Sequence, residues 1–165
     1  MDNAAGADHP VRAAGAADAP VVAALLDDFN REFGCPTPGP AVLAERLRRL
    51  LPGPDVAALL TGAPAVGVAV VSFRANVWYD GPVALLDELY VRPDLRGRRH
   101  GHSLLQAACA LARERGADVL EINVDGGDTA ARRFYEAHGF RNVDEGATEP
   151  MFYYYRTLTG DAPPR

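Results

Sequence analysis

Apolar residues recur along the chain with two periods, and the change between them predicts the order of secondary-structure elements. Spacings of three and four residues, as in Val22, Leu25, Leu26 and Phe29, are typical of a helix with one buried face. Short apolar or β-branched runs between Gly, Pro and Asn are typical of strands. The pattern predicts a strand at 11–14, helices at 18–31 and 42–51, strands at 56–60, 65–72 and 83–91, a helix at 101–115, a strand at 119–124, a helix at 128–137 and a final strand at 151–158.

This order of elements predicts an α/β fold, in which a mixed sheet is covered by helices on both faces. A chain of 165 residues has room for one domain, which we place at residues 10–158. Residues 1–9 and 160–165 are rich in Ala, Gly, Asp and Pro, and we expect them to be flexible termini. Asp18 is the predicted N-cap of the first long helix.

Charge and composition exclude several classes of function. All 17 basic residues are arginines, so Schiff-base lysine chemistry and the P-loop lysine are excluded. The net charge of -5 argues against general nucleic-acid binding, and no apolar run is long enough to span a membrane. Cys35 and Cys109 lack the spacing of a zinc or redox site. Because the N-terminal segment carries Asp2 and Asp8 and has no basic region, we expect a cytoplasmic protein.

Arginines and glycines crowd into the turn between the strand at 83–91 and the helix at 101–115. Glycines at 97 and 101 let consecutive amides point into one concavity, and the first helical turn adds amides without intrahelical partners. Such a turn is an anion cradle suited to a pyrophosphate. It lacks the G-x-G-x-x-G of a dinucleotide fingerprint. Taken alone, the arginines at 96, 98 and 99 fit a solvated basic turn equally well.

Two segments resemble the motifs of the GNAT N-acetyltransferase superfamily. Residues 96–101, Arg-Gly-Arg-Arg-His-Gly, are similar to its Gln/Arg-x-x-Gly-x-Gly/Ala acetyl-CoA motif. Residues 128–140, Asp-Thr-Ala-Ala-Arg-Arg-Phe-Tyr-Glu-Ala-His-Gly-Phe, are similar to its Asn-x-x-Ala-x-x-Leu/Phe-Tyr-Glu-x-x-Gly-Phe segment. The resemblance covers about residues 10–158. It implies a GNAT-like fold, a mostly antiparallel central sheet with a splayed parallel pair.

The resemblance implies that an amine attacks the thioester of acetyl-CoA directly, without an acyl-enzyme. Amides of residues 98–102 and the Arg96 side chain would hold the pyrophosphate, and the backbone of Leu89 and Val91 would pair with the pantetheine arm. We expect no metal, because His100 and His102 do not share a helix face. The implied cofactor contacts are Leu89, Tyr90, Val91, Arg96, Gly97, Arg98, Arg99, His100, Gly101, His102, Asn123 and Asp128.

The resemblance also implies the catalytic groups. Tyr135 matches the family's general acid, which protonates the departing thiolate; the alternative is an aromatic packed on the sheet beside Phe134. Glu88 and Asp87 are candidates for the general base, directly or through a water. Because adjacent strand residues face opposite ways, at most one of them should face the amine, and Glu88 is our first choice. The pair could equally be polar residues that cap a strand or form an ion pair.

Two positions depart from the family's motifs. Arg99 stands in place of a glycine and cannot easily adopt a positive φ as glycine does, although its amide can still point at a phosphate. We therefore expect the cradle to be kept. Asp128 stands in place of an asparagine and can cap the helix equally well. Because a carboxylate only accepts hydrogen bonds, however, it cannot donate one towards the cofactor.

The function implied is an acetyl-CoA-dependent N-acetyltransferase for the primary amine of a small molecule. Asp27, Asp28 and Glu32 lie where the superfamily builds its acceptor site and would suit a cationic amine, although acidic residues are also typical of the exposed face of a helix. Two alternatives stay open: an acyl-CoA-binding sensor module without turnover, and a protein or peptide N-acetyltransferase. We expect neither nucleic-acid nor membrane partners. The chain could be a monomer or a homodimer.

Overall fold

A computed structural model describes residues 8–156 and 158, which form two compact units, one up to residue 121 and one from residue 122 onwards. Of the termini predicted to be flexible, residues 1–7 and 160–165 lie outside the described residues. None of the helices in the described ranges is both long enough and apolar enough to cross a lipid bilayer.

The elements follow the predicted order within a few residues. The first unit contains β1 (Val11–Ala13), α1 (Ala19–Glu32), α2 (Pro40–Leu50), β2 (Val56–Thr61), β3 (Gly67–Arg74), β4 (Val83–Val91) and α3 (His100–Glu114), with short 3-10 turns at Ala16–Asp18 and Pro93–Leu95. β5 (Leu120–Ile122) leads into the second unit, which contains α4 (Thr129–Ala137).

The sheet has the strand order β1-β2-β3-β4-β5. The pairs β1–β2, β2–β3 and β3–β4 are antiparallel. β5 lies beside the beginning of β4, where the Ala84 amide donates to the Val119 carbonyl at 3.0 Å, and makes the parallel pair. The predicted mixed sheet with helices on both faces is therefore confirmed.

The core lies on both faces of this sheet. Ala58 and Leu60 of β2 are buried in one cluster with α1 and α2, through residues such as Val22 and Leu47. Their neighbours Ala57 and Leu59 are buried as well and, by strand alternation, point to the opposite face. α3 packs on the sheet with Leu104, Leu105 and Ala108 fully buried.

Replacing Leu104 by Ala tests the packing of α3. A Cβ placed on Gly67 would lie 3.1 Å from Leu104 Cδ1, so the helix approaches β3 closely and has little room to collapse. We expect Leu104→Ala to lower the free energy of unfolding by about 2–5 kcal/mol. Gln106→Ala, at an exposed position of the same helix, should change it by no more than about 0.5 kcal/mol. Equal denaturation midpoints for the two variants would contradict this packing.

Asp18 stands at the predicted N-cap position, but its side chain does not cap the helix. Asp18 precedes α1, but its φ of -83° and ψ of -5° are already helical, whereas an N-cap side chain needs an extended backbone. Its carboxylate instead accepts hydrogen bonds from the Gly15 amide at 2.9 Å and from Arg12 at 2.7 and 2.9 Å. These bonds, chiefly that from Arg12, lower the pKa of Asp18 to about 2.

The predicted final strand at 151–158 is also wrong. Residues 151–156 form no strand in the part of the chain that the structure describes, and an isolated bridge joins Val143 to Pro150 just before them. The side chains at 151–155 are exposed. An apolar run predicts a strand only where a neighbouring edge can pair its backbone groups, and the sequence does not say where such an edge lies.

Candidate functional site

β4 carries a β-bulge at the two residues predicted to supply the general base. Val70 of β3 lies opposite Glu88, whereas Val71 lies opposite Leu86, so that Asp87 has no opposite residue. A bulge interrupts the regular alternation of side chains along a strand and changes the direction of the neighbouring side chains. The expectation that Asp87 and Glu88 face opposite ways rested on an unbroken alternation, which the bulge interrupts at these residues.

The environment of Asp87 shifts its acidity in the direction that a base requires. The residue is exposed as a whole, but burial of its carboxyl raises the pKa of Asp87, and hydrogen bonding from Ser72 opposes the shift. A general base works best with a pKa near the operating pH, so a raised carboxyl pKa is useful. Glu88 is half-buried beside it. Both residues stay candidates for the base.

Beyond the bulge, the backbone of β4 has one edge that faces away from β3. The Arg92 amide donates to the Val66 carbonyl on the β3 side at 3.0 Å. Because backbone polar groups alternate along a strand, those of Leu89 and Val91 point to the other edge. β5 has three residues and β4 has nine, so β5 can flank only part of this edge. The Leu89 backbone is therefore oriented as the predicted pairing requires.

Tyr90, one of the predicted cofactor contacts, has its side chain in the core. By the same alternation its backbone groups point towards β3. Its side chain is 5% exposed and stacks on Phe29 with ring centroids 5.3 Å apart. Burial, followed by the nearby charge of Glu32, raises the pKa of Tyr90. The tyrosine is part of the packing between α1 and β4, because its alternation along the strand sends the side chain into the core.

The Arg96 side chain forms hydrogen bonds to α1 and to the end of β4. Its Nη1 and Nη2 donate to the two carboxylate oxygens of Glu32, each at 2.7 Å, and its Nε donates to the Val91 carbonyl at 2.9 Å. These three bonds, which we call the Arg96 brace, hold the turn against α1 and β4, and the contact of this side chain with pyrophosphate stays a prediction. The Val91 carbonyl thus already accepts one hydrogen bond, and its predicted pairing with the pantetheine arm stays a prediction.

Glu32→Gln tests this brace through its pH dependence. Hydrogen bonding to Arg96 holds the pKa of the Glu32 carboxyl below its ordinary 4.5. A depressed carboxyl pKa stabilises the folded chain above the ordinary value, and this contribution is lost as the pH falls through the depressed one. We expect Glu32→Gln to be less stable than the wild type at pH 7, with a difference that shrinks towards pH 3, as measured by urea denaturation.

Glu45→Gln is the matched control for that experiment. Glu45 forms an exposed pair with Arg48 at 3.4 Å, and exposed pairs of this kind contribute about 0–1 kcal/mol. Its effect on stability should be small at both pH values. A Glu32→Gln effect that is equally large at pH 7 and pH 3 would show that charge pairing with Arg96 does not stabilise the turn.

The other carboxylates of α1 do not form a free acidic patch for an acceptor. Asp27 is buried and accepts hydrogen bonds from Thr37 at 2.7 Å and from Arg31 at 2.6 Å. These bonds, first that from Thr37, lower the pKa of Asp27. With Glu32 paired to Arg96, two of the three predicted acceptor carboxylates have internal partners, while Asp28 is exposed.

The turn between β4 and α3 has the geometry of an anion cradle. Gly97 has a φ of 74°, and a Cβ there would meet no atom within 4 Å, so the backbone is open to a ligand. α3 begins at His100, and the Ser103 amide donates to the Arg99 carbonyl. This is the first hydrogen bond of the helix. The amides of residues 99–102 precede Ser103 and therefore have no carbonyl acceptor within the helix. The positive end of the helix dipole lies behind them.

Arg99 adopts the conformation that we expected it to avoid. Its φ is 68° and its ψ is 1°, in the left-handed region, where the family's motif has glycine. For a residue with a Cβ this region costs about 1–2 kcal/mol. Arg99 thus has a positive φ, which a glycine would adopt without this cost.

The residues around Arg99 differ in their exposure. Arg98 is exposed, and Gly101 and His102 are half-buried. His100 is 8% exposed, and its Nδ1 lies 3.3 Å from Thr61 Oγ1. Burial is the main cause that lowers the pKa of His100. His100 can therefore serve an anion through its amide, while its ring belongs to the packing beneath the cradle.

The remaining predicted site residues lie in the second unit. Asp128 caps α4 as predicted, because its carboxylate accepts a hydrogen bond from the Ala131 amide at 2.9 Å. Asn123 is exposed just after β5. Tyr135 is half-buried, with its ring edge-on to Phe134 at 5.2 Å and to Phe140 at 5.6 Å.

Two residues in contact with the cradle were missed in the sequence. Asp8 and His9 were assigned to a flexible terminus, yet the structure places them against residues 98–103. They are separated from these partners by 89 to 94 positions, and no local pattern marks such a contact.

The sequence matches the model of the family described as "Acetyltransferase (GNAT) family" over residues 22–140. A candidate acetyltransferase from Arthrobacter sp. FB24, whose crystal structure is known, is 60% identical to this chain, with a TM-score of 0.87. That comparison covers 96% of this chain and 100% of the other. An aminoglycoside acetyltransferase from a soil metagenome, solved with sisomicin, has a TM-score of 0.74 at 19% identity over 91% and 96% of the two chains. At that identity, the likeness shows the fold alone.

Curated relatives match over a shorter stretch. The mycothiol acetyltransferase of Beutenbergia cavernae is 38% identical over 72 residues, which are 42% of this chain and 24% of that protein. The mycothiol acetyltransferase of Thermobispora bispora is 41% identical over 61 residues, or 37% of this chain and 21% of that protein. The chain thus spans about a quarter or less of the length of these two relatives.

Proposed function

Because the chain belongs to the GNAT acetyltransferase family, we propose that it transfers the acetyl group of acetyl-CoA to the primary amine of a small acceptor by direct attack. The observation that carries the proposal is the cradle: bulged β4, a turn with left-handed residues at 97 and 99, and the open first turn of α3. This backbone fits a pyrophosphate, since its amides supply donors whatever the side chains are.

Acetyl-CoA, when bound, supplies the activated thioester. The amides of residues 98–102 would hold its pyrophosphate, and the Leu89 backbone would pair with its pantetheine arm. Asp87 or Glu88 takes a proton from the acceptor's ammonium group, directly or through a water, so that the nitrogen has a lone pair for attack. As the C–N bond forms and the C–S bond breaks, Tyr135 would give its phenolic proton to the departing sulfur, and the proton that the acylated nitrogen loses would restore the phenol.

A small acceptor is supported by the mycothiol acetyltransferases among the relatives, which are named for a small molecule. With Asp27 and Glu32 engaged by internal partners, a cationic acceptor would be recognised by the remaining acidic groups, Asp28 and the pair at the bulge of β4. The raised pKa of Asp87 fits the role of a proton acceptor there better than that of a permanent counter-charge.

The test is release of the free CoA thiol with a panel of polyamines, aminoglycosides, small amino-thiols and peptides with free N-termini. We expect turnover with small amines, and mass spectrometry of the product to place the acetyl group on nitrogen. Tight acetyl-CoA binding without turnover across the whole panel would favour a sensor. Turnover with peptides alone would favour a protein N-acetyltransferase.

A further inference from the structure

Asp8 and His9, which we call the N-terminal strap, contact four residues of the cradle and the first turn of α3, at positions 98, 99, 100 and 103. The His9 amide donates to Ser103 Oγ at 2.9 Å, and its Nε2 lies 2.7 Å from the Arg98 carbonyl. The His9 ring stacks on the His100 ring with centroids 3.6 Å apart. Asp8 Oδ1 accepts from Arg99 Nη2 at 2.7 Å and from Nε at 3.2 Å.

The bonds of the strap define where its protons lie. A carbonyl oxygen cannot donate, so the His9 Nε2 carries the hydrogen that the Arg98 carbonyl accepts. Below it, the Thr61 hydroxyl donates its one proton to the Pro10 carbonyl at 3.2 Å, so the His100 Nδ1 is the donor towards Thr61 Oγ1. The stacked pair of rings is thereby anchored from both sides.

The bond from His9 also orients an amide of the cradle. In a trans peptide unit the carbonyl and the amide N–H point in opposite directions. With the Arg98 carbonyl directed at His9, the N–H of Arg99 must point away from the strap. This N–H belongs to the set of amides that the cradle offers to an anion.

Arg99 is the residue that most needs to be held. It lies in the left-handed region with a φ of 68°, which an arginine occupies only where its surroundings impose it. His9 contacts the carbonyl of the preceding residue and the ring of the following one, and Asp8 accepts hydrogen bonds from the Arg99 guanidinium. Hydrogen bonding to Arg99 in turn lowers the pKa of Asp8. This pairing keeps the guanidinium on the strap.

We propose that His9, assisted by Asp8, is a positioning residue that holds Arg99 in the left-handed conformation and so shapes the pyrophosphate cradle. The inference rests on the proposed function for the identity of the ligand. It assigns to the strap the task that a glycine performs in the family's motif. It follows that coenzyme A affinity depends on the strap when residue 99 is arginine, and much less when it is glycine.

A double-mutant cycle of His9→Ala and Arg99→Gly tests this dependence. His9 is the better strap residue to change, because removing Asp8 would also remove a negative charge that itself repels phosphate. In the arginine background, His9→Ala should weaken the coenzyme A Kd, measured by calorimetry, by about 5- to 30-fold, the range expected when a left-handed residue loses its support. In the Arg99→Gly background the same change should cost less than about threefold, because glycine takes this conformation freely.

Amide hydrogen exchange of the ligand-free protein gives a second readout that needs no coenzyme. We expect residues 98–102 to exchange faster in His9→Ala than in the wild type. Arg12→Ala is the matched control. Arg12 lies in β1, three residues after His9, and forms an ion pair with Asp18 and not with the cradle. It should change neither the Kd nor the exchange of residues 98–102.

The two failures can be told apart. A wild-type protein that does not bind coenzyme A overturns the proposed function, and unchanged exchange at 98–102 in His9→Ala then overturns the strap as well. If the wild type binds and His9→Ala binds equally well, the strap has no positioning role. Equal losses of affinity in the two backgrounds would also overturn the inference, since the strap would then act only by stabilising the fold.

Discussion

Tyr135→Phe is expected to lower kcat by about 10²-fold or more while acetyl-CoA affinity stays within a few-fold. The substitution removes one hydroxyl and keeps the ring, so the packing against Phe134 and Phe140 is retained. An ordinary phenol carries its proton at neutral pH and can give it to a departing thiolate. Without that donor, the sulfur would leave with its charge uncompensated.

The kinetics should be followed by single-turnover thiol release with an acceptor for which chemistry is rate-limiting. Tyr154→Phe makes the same chemical change at a tyrosine that is 86% exposed, and it should leave kcat unchanged. If Tyr135→Phe keeps near-full kcat, Tyr135 is an aromatic of the packing in its unit, and the proton comes from water or another residue.

Gly101→Val is expected to weaken acetyl-CoA binding by about 10²-fold or more, because a branched side chain in the first turn of α3 keeps the pyrophosphate away from the amides. Arg98→Ala, at an exposed position in the same turn, should change the Kd by no more than a few-fold. An exposed charge contributes about 0–1 kcal/mol to such an interaction. The proposed pyrophosphate site, by contrast, consists of backbone amides. Calorimetric titration with acetyl-CoA measures both variants.

Thermal unfolding of the same samples shows whether Gly101→Val is folded, and Gly101→Ala provides a smaller step at the same position. The order of affinities should be wild type, Gly101→Ala and then Gly101→Val. Two equally mild effects for Gly101→Val and Arg98→Ala would mean that this turn does not bind the pyrophosphate.

Several features of the protein could be predicted because they depend on neighbours in the sequence. Helical and strand periods predicted α1, α3 and the strands β2 to β4 within a few residues, since each period reports which face of an element is buried. Asp128 caps α4 because a cap needs only the next three residues. The two family motifs are local as well, and the family they indicated is the one that the chain matches over residues 22–140.

Features that depend on distant partners could not be predicted. Arg96 pairs with Glu32, 64 positions away, and no local pattern in the sequence marks this partner. The bulge at Asp87 arises from the register of β4 against β3, which cancels the alternation on which the choice between Asp87 and Glu88 rested. The aromatic run at 151–155 has the composition of a strand but is exposed, because pairing requires an edge as well as a propensity.

The sequence by itself determined the order of the elements, the buried faces and the glycine-containing turn between β4 and α3, since periodicity, capping and glycine geometry act over a few residues. Only the tertiary structure decided which groups shape that turn. Arg99 takes a backbone conformation that its own chemistry disfavours, and the contacts around it come from Asp8 and His9, about 90 positions away. A conformation imposed by tertiary contacts leaves no local trace, because the residues that impose it are neighbours only after the chain has folded.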